Sequence, residues 1–129
     1  LIRAGGTVDG AAGTAPDADD VAQGHRQAER ALDFAACIGC GACVAACPNG
    51  AAALFAGAKL AHLSLMPQGR IERGRRARAM TRELDALFGP CSEYGECVPA
   101  CPAGIPIEAI ALLNREVLRA GLRGATRDD

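Results

Sequence analysis

Aromatic side chains are almost missing from this sequence of 129 residues, which contains no Trp, one Tyr and three Phe. Half of the residues are hydrophobic, but 28 are Ala, so each buried side chain removes little apolar surface from water. A small domain with such a core usually needs a cross-link, and bound metal provides one because the free energy of metal binding becomes free energy of folding. The composition therefore favours a metal cofactor.

A strong excess of charge is also missing. The formal net charge of −1 provides no overall attraction for nucleic acid, so no nucleic-acid partner is expected. Residues 34–58 contain no charged side chain and are long enough to span a bilayer. However, four Cys, several Gly and Pro48 interrupt this stretch, and a lipid-facing segment cannot leave backbone polar groups unpaired. No transmembrane segment is therefore predicted, and residues 1–15 contain no apolar run of the signal-peptide type.

The sequence does contain seven Cys, all within two short motifs. An odd number leaves one Cys over in a pure disulfide framework, and the close spacing is typical of metal binding in a reducing compartment such as the cytoplasm. The first motif, CIGCGACVAACP (37–48), follows the C-x2-C-x2-C-x3-C-P pattern of two-cluster ferredoxins. In that pattern the first three thiolates bind one iron–sulfur cluster, and the fourth Cys binds the other.

The second motif, CSEYGECVPACP (91–102), repeats the pattern with Tyr94 in place of the middle Cys. The crossing rule then assigns four thiolates to a [4Fe-4S] cluster and three to a second cluster. A phenol is protonated at neutral pH and is a poor iron ligand, so the second cluster is predicted to be [3Fe-4S]. Pro48, Tyr94 and Pro102 are expected beside the clusters, and no catalytic residue is predicted. The two ligand sets are Cys37, Cys40, Cys43 and Cys101 for [4Fe-4S], and Cys47, Cys91 and Cys97 for [3Fe-4S].

Two alternatives stay open for these motifs. Zinc is one, but structural zinc sites use four ligands, usually from paired C-x2–4-C motifs, and seven Cys fit that arrangement badly. The other is a four-iron cluster at the second site, with water or another side chain as its fourth ligand. Loss of one thiolate makes the second cluster less negative, so its reduction potential is expected to be the higher of the two.

The rest of the sequence predicts an all-α fold in which helices flank two cysteine loops, because no segment alternates as a strand does. Residues 1–18 are predicted to be a linker or the edge of another domain, 19–122 the α-helical domain, and 123–129 a disordered tail. Helices are expected over about 17–33, with Asp19 or Asp20 as N-cap; 51–65, with Asn49 as N-cap; 72–88; and 106–120, stopped by Gly121. Their expected inward residues are Val21, His25, Ala28 and Leu32; Leu54, Ala58, Ala61 and Leu65; Ala77, Met80, Leu84, Leu87 and Phe88; and Ile110, Leu113 and Val117.

These motifs resemble the C-terminal domain of the iron–sulfur subunit of succinate dehydrogenase and fumarate reductase. The resemblance extends from about residue 1 to residue 120 and is greatest at CIGCGACVAACPNG (37–50), AKLAHLSLMPQGR (58–70), EYGECVPACP (93–102) and LNRE (113–116). It implies an α-helical ferredoxin domain and a missing N-terminal domain with a [2Fe-2S] cluster. It also implies a relay from a flavoprotein subunit through the three clusters to quinone at a membrane-anchor subunit. Such a chain is peripheral, on the cytoplasmic side of the membrane.

Two positions depart from the quinone-reactive members of that family. Those members have a His after the first Cys of the second motif and a Trp after the first CP, whereas this chain has Ser92 and Ala52. The quinone site is therefore not carried over. The form CIGCGACVAACP (37–48) resembles a subgroup whose membrane anchor carries haem.

Three other functions are compatible with the motifs to different degrees. A soluble seven-iron ferredoxin normally has its two motifs close together, unlike Cys47 and Cys91 here. The iron–sulfur subunit of a heterodisulfide-reductase or glycerol-phosphate-dehydrogenase type enzyme normally has both motifs complete, which Tyr94 disfavours. A zinc-stabilised interaction module is the third.

The sequence also contains a cluster of basic residues, which is expected to be either a solvated face or a docking surface. Its members are Arg70, Arg73, Arg75, Arg76, Arg78 and Arg82. His25 and His62 are assigned no role.

Overall fold

The computed structural model describes residues 1–7, 23–67 and 70–124 of the chain. These residues form six helices and no strand, which confirms the predicted all-α fold. The helices are α1 (His25–Ala35), α2 (Ala42–Ala46), α3 (Ala53–Leu65), α4 (Arg70–Leu87), α5 (Cys97–Ala100) and α6 (Glu108–Gly124). In this described part, no helix combines the length and the apolar character that a bilayer span requires.

Some predicted features fall outside the described residues. These features are the linker beyond residue 7, the caps Asp19 and Asp20, Val21, and the tail from residue 125. Residues 123 and 124, which the sequence prediction assigns to the tail, belong instead to the end of α6.

Helix α3 is the centre of the domain and packs against α1, α4 and α6. Its residues are small, so neighbouring helices approach it on several sides, and the predicted stripe of Leu54, Ala58, Ala61 and Leu65 describes only one of them. Helix α6 approaches α3 closely, because a Cβ on Gly57 would lie 2.8 Å from the Ala109 carbonyl oxygen. The buried residues of α3 are Leu54, Ala56, Gly57, Ala58, Leu60, Ala61, Leu63 and Ser64.

Helix α1 presents a different face to α3 from the predicted one. It begins at His25, after Gly24, and buries Ala31 and Phe34. Leu32 is 63% exposed and His25 is also exposed, so the predicted inward stripe is wrong. The reason is the Phe34 ring, which removes more apolar surface from water than a single Leu and therefore determines which side of the helix faces the core.

Helix α4 buries Ala77 and Met80 as predicted, and Leu84 is half-buried. Leu87 and Phe88 are exposed, so the predicted inward face extends too far along the chain. Helix α4 ends at Leu87, so Phe88 lies beyond the helix and does not continue its inward face.

The ends of α3 and α6 also differ from prediction. Helix α3 begins at Ala53 without a side-chain cap, so Asn49 is not its N-cap. Helix α6 buries Ile110 and Leu113 as predicted but continues through Gly121 to its last residue, Gly124. An exposed Gly inside a helix costs only about 1 kcal/mol relative to Ala, which the packing of α6 against α3 and α4 outweighs.

A buried arginine attaches residues 1–7 to α4. Arg76 is 5% exposed, and its Nε donates to the Gly5 carbonyl oxygen at 2.7 Å. Its Nη2 donates to the Thr7 carbonyl oxygen at 3.0 Å and to Glu72 Oε1 at 2.6 Å. The guanidinium therefore has both a carboxylate to balance its charge and carbonyl acceptors for its other N–H groups, as a buried Arg requires.

Replacement of Gly57 by Ala tests the α3–α6 crossing. We expect Gly57→Ala to lower the free energy of unfolding by about 1–3 kcal/mol, because the new methyl group collides with a backbone carbonyl that cannot move independently. The measurement is the denaturant midpoint by far-ultraviolet circular dichroism at equal iron content. The control is Gly121→Ala, whose Cβ meets no atom within 4 Å, and which should raise stability by up to about 1 kcal/mol. Equal effects of the two substitutions would contradict the packing described.

Replacement of Arg76 by Leu tests the attachment of residues 1–7. Loss of hydrogen bonds to a charged group, at about 1.5–3 kcal/mol each, should release this segment. We expect tryptic cleavage after Arg3, followed by mass spectrometry, to become several-fold faster. Arg75→Leu removes an exposed neighbour and should leave the cleavage rate unchanged. An unchanged rate in Arg76→Leu would contradict the attachment.

Candidate metal centres

The two cysteine motifs enter their short helices with the same backbone conformation. Gly41 precedes α2 and Gly95 precedes the N-cap of α5, with φ of 76° and 79°. Two positions earlier, Gly39 has φ of 71°, and the equivalent Glu93 is left-handed too, with φ of 59°. Left-handed backbone is easy for Gly and uncommon for other residues, so the second loop keeps a ferredoxin-loop backbone at a position where its sequence disfavours one. Tyr94 consequently lies where Cys40 lies in the first loop.

The two motifs also leave their short helices in the same way. After Cys47-Pro48, the Gly50 N–H donates to the Cys47 carbonyl oxygen at 3.0 Å. After Cys101, the Gly104 N–H donates to the Cys101 carbonyl oxygen at 3.3 Å. Both Gly are left-handed, and α2 and α5 pack against each other, so the two motifs form a paired unit.

The first candidate site is a cavity that all four thiols of the predicted [4Fe-4S] set line: Cys37, Cys40, Cys43 and Cys101. Apart from these thiols its wall is mostly apolar, with Leu54, Phe55 and Ile105 among its residues. The cavity encloses about 20 Å³ and has the exposed Cys40 at its edge.

Two observations at this cavity fit an iron–sulfur cluster. Burial raises the pKa of the Cys43 thiol above its ordinary value, and the neighbouring thiols of Cys37 and Cys101 raise it further against opposing backbone hydrogen bonds. Such a set of thiolates is unfavourable unless cations compensate for it, as iron does. In addition, the Ile105 N–H points at Cys101 Sγ at 3.5 Å, and hydrogen bonds to sulfur are among the features by which proteins adjust such clusters.

The second candidate site is a larger cavity of about 440 Å³ lined by Cys47, Cys91 and Cys97. Burial raises the pKa of the Cys97 thiol, and the nearby thiols of Cys91 and Cys47 contribute to the same shift. Tyr94, 58% exposed, also lines this cavity. The cavity wall contains three carboxylates, which are absent from the first site: Glu93, Glu96 and Glu108.

The structure therefore groups the seven Cys as the crossing rule does. Cys101 lies with the first three thiols of the other motif, and Cys47 lies with Cys91 and Cys97. Pro102 lines the first cavity, whereas Pro48 is exposed and lines neither. The thiols surround two volumes, as a cubane requires, because each thiolate binds a different iron atom. Among the described residues, no three His, Cys, Asp or Glu converge at the closer range of a single metal ion.

Comparison with known proteins agrees with this arrangement. Residues 36–105 match the 4Fe-4S dicluster domain. The chain belongs to this family. It is therefore an iron–sulfur electron-transfer protein, and a [4Fe-4S] cluster is its expected cofactor.

Two relatives of this dicluster protein are similar to it in nearly equal measure. The succinate dehydrogenase iron-sulfur subunit of Bacillus subtilis is 33% identical over 107 residues, which cover 75% of this chain and 42% of the relative. A ferredoxin:CoB-CoM heterodisulfide reductase subunit of Methanosarcina mazei is 34% identical over 91 residues, which cover 70% of this chain and 50% of the relative. The chain thus spans half or less of the length of these relatives. No solved structure shows a significant match.

The predicted preference for the succinate dehydrogenase type is therefore supported only in part. By name, one relative is the iron–sulfur subunit of a dehydrogenase, and the other is a subunit of a ferredoxin-linked reductase. Their identities to this chain are nearly equal. What the dicluster family establishes is the class of cofactor and of electron-transfer chemistry.

Two features of the dicluster domain are not evident from the motifs. Leu54, 2% exposed, lines both cavities, so its side chain forms part of the wall between them. Asn49 joins the motifs, because its Nδ2 donates to Ser92 Oγ at 2.7 Å and to the Pro90 carbonyl oxygen at 3.2 Å. Alignment of the two motifs predicts that the second loop has the backbone of the first. It does not indicate that Leu54 separates the cavities or that Asn49 connects the motifs.

The predicted basic cluster divides between the core and the surface. Arg76 is buried against residues 1–7, and Arg73 Nη1 donates to the Ser64 carbonyl oxygen at 3.4 Å. The side chain of Arg70 lies outside the described residues. Docking to an acidic protein face or to lipid headgroups remains a prediction for the three members that are not buried or bonded in this way, which are Arg75, Arg78 and Arg82.

Neither His is close to the cavity walls. His25 is exposed, with Nε2 4.0 Å from Glu29 Oε1. His62 is half-buried in α3, and burial, assisted by the charge of Lys59, lowers its pKa.

Substitution of Tyr94 by Cys tests the ligand position in the second loop. The loop keeps the backbone that presents Cys40 in the first motif. If the second site holds three irons, as the sequence predicts, we expect Tyr94→Cys to raise the iron content of the anaerobically purified protein from seven to eight per chain. The paramagnetic signal of an oxidised three-iron cluster should disappear in parallel. Tyr94→Ser, which lacks a thiol, should retain seven irons. A gain of iron in Tyr94→Ser, or none in Tyr94→Cys, would contradict the assignment.

Proposed function

We propose that this chain is the electron-transfer part of an iron–sulfur subunit in a succinate dehydrogenase or fumarate reductase complex. The observation that carries the proposal is the pair of thiol-lined cavities, with four Cys at one and three at the other, on either side of Leu54. Two adjoining sites of unequal ligand number suit a protein that passes single electrons and converts no substrate itself.

The ligands in this proposal follow the two cavities. Cys37, Cys40, Cys43 and Cys101 would hold [4Fe-4S], and Cys47, Cys91 and Cys97 would hold [3Fe-4S]. When bound, the clusters supply one-electron redox chemistry. The chain itself fixes the ligands on the two loops, covers one side of each site with α3 and part of the second site with α6, and keeps the two sites close together.

The unequal surroundings of the two sites favour a direction of electron flow. The second cluster would lack one iron together with one thiolate, so cluster type, rather than a smaller negative charge, is the basis on which we take it to be the more easily reduced. Glu93, Glu96 and Glu108 act in the opposite sense, but these three residues are exposed and solvent screens their charges. We therefore propose that electrons pass from the first site to the second.

The partners in this proposal come from the relatives and from the resemblance in sequence. Because the relatives are about twice as long as the matched segment, we propose that a further domain with [2Fe-2S] belongs to the complete protein. A flavoprotein subunit would supply electrons, and a membrane-anchor subunit of the haem-bearing type would take them toward quinone. The chain would then be peripheral, on the cytoplasmic side of the membrane.

A second candidate function is an electron-transfer subunit of a heterodisulfide reductase type enzyme. The similarity to the heterodisulfide reductase protein of Methanosarcina mazei favours it. The three-thiol second site favours the first candidate, because the second type normally has both motifs complete. The nature of the second cluster thus bears on the choice between them.

The test uses the native complex, purified anaerobically from the source cells. We expect a flavoprotein and a membrane subunit to copurify with this chain, and succinate to reduce its clusters within the complex. The oxidised sample should show the paramagnetic signal of a three-iron cluster, and fumarate should reoxidise the reduced sample. Response to a heterodisulfide with no response to succinate would support the second candidate instead. Iron near zero would contradict both.

A further inference from the structure

One hydrogen bond connects two ligand-bearing segments of the second site. Asn49 follows Cys47 by two positions, and Ser92 follows Cys91 directly. Asn49 Nδ2 and Ser92 Oγ are 2.7 Å apart, so this bond joins the segment that carries Cys47 to the segment that carries Cys91. The backbone adds a second link, because the Gly89 N–H donates to the Gly50 carbonyl oxygen at 3.4 Å.

The direction of the Asn49–Ser92 hydrogen bond follows from a third group. The Pro90 carbonyl oxygen, 3.2 Å from Asn49 Nδ2, accepts hydrogen bonds and cannot donate them. The amide nitrogen of Asn49 must therefore face Pro90, and the same nitrogen supplies the hydrogen to Ser92. Ser92 Oγ is the acceptor, which leaves its own hydroxyl hydrogen to be donated elsewhere.

The Asn49 side chain is held where it can perform this role. Gly89 packs so closely that a Cβ at this position would overlap the Asn49 carbonyl oxygen. No residue larger than Gly fits at 89 without moving the Asn49 backbone. Packing therefore fixes the backbone of Asn49, and two hydrogen bonds fix its side-chain amide.

Ser92 also lines the cavity that contains Cys47, Cys91 and Cys97. We propose that the Ser92 hydroxyl donates a hydrogen bond to the sulfur of a cluster at this site, and that Asn49 is the positioning residue that directs the hydroxyl there. This inference rests on the proposed function, because it requires a cluster at the second site. A hydroxyl that accepts one hydrogen bond is also a better donor of another.

The first site lacks this pair of side chains. The position equivalent to Ser92 is Ile38, which is 71% exposed, and the position equivalent to Asn49 is Ala103. Neither side chain can donate or accept a hydrogen bond. The Ser92–Asn49 pair is therefore a difference between two loops that otherwise share one backbone.

The expected consequence is a higher reduction potential at the second site. Reduction adds negative charge to a cluster, and a hydrogen bond donated to its sulfur stabilises the reduced form. This effect has the same sign as the higher potential proposed for the second site. The pair would thus increase the difference in potential between the two sites.

The experiment measures reduction potentials by titration followed with paramagnetic resonance, on the complex purified with its clusters. Ser92→Ala should shift the oxidised-to-reduced ratio of the second cluster up to tenfold toward oxidised, which corresponds to about 59 mV for one electron. Asn49→Ala should shift it in the same direction by less, because the hydroxyl is kept but no longer directed. Ser92→Thr retains the hydroxyl and should restore the wild-type potential.

A double-mutant cycle distinguishes positioning from independent effects. If Asn49 acts through Ser92, then Asn49→Ala should cause no further shift in a Ser92→Ala background. Additive shifts would overturn the positioning role, and an unchanged potential in Ser92→Ala would overturn the whole proposal. Ile38→Ala, at the equivalent position of the first site, should leave the second potential unchanged.

Failure of the proposed function gives a different result from failure of this inference. Wild-type protein without a three-iron signal would contradict the function before any variant is compared. Wild-type protein with that signal, but with equal potentials in all variants, would contradict only the Ser92 and Asn49 roles. If Asn49→Ala loses iron, the Ser92→Ala and Ser92→Thr pair still decides whether the hydroxyl acts on the cluster.

Discussion

The crossing of α3 and α6 is the contact on which the positions of both cavities depend. Helix α3 follows the first cysteine motif and α6 follows the second, so the angle and distance between these helices set how the two loops face each other. Gly57 allows the crossing, because the Ala109 carbonyl oxygen comes within 2.8 Å of the place where a Cβ would be. Wider separation of the helices would move Cys47 and Cys101 away from the thiols of the opposite motif, and both cavities would open together.

The two sites differ in side chains rather than in backbone. Gly39 and Glu93 share a left-handed conformation, and for a residue other than Gly this conformation costs about 1–2 kcal/mol. The second loop therefore retains a backbone suited to four ligands although it supplies fewer. Tyr94 and Ser92 introduce the chemical differences on that common frame. A single backbone arrangement can in this way hold two sites with unlike surroundings.

Much of the fold follows from the sequence, because helix periodicity and cysteine spacing are local signals. The grouping of the seven Cys around two cavities follows from the ferredoxin spacing rule alone. The inward face of α1 does not, since it depends on where the Phe34 ring finds space against α3. The continuation of α6 through Gly121 depends likewise on tertiary packing, which outweighs a local stop signal. The burial of Arg76 and the bonding of Asn49 require knowledge of which distant segment lies opposite.

Leu54 has a further consequence for the proposed relay. Its aliphatic side chain is 2% exposed and forms a wall of both cavities, so this part of the partition between them contains no polar group. Charge moving across this partition meets no side-chain dipole at Leu54 that must turn in response. A polar residue at position 54 would add such a dipole, and would raise the reorganisation energy of the proposed exchange between the sites without altering any ligand.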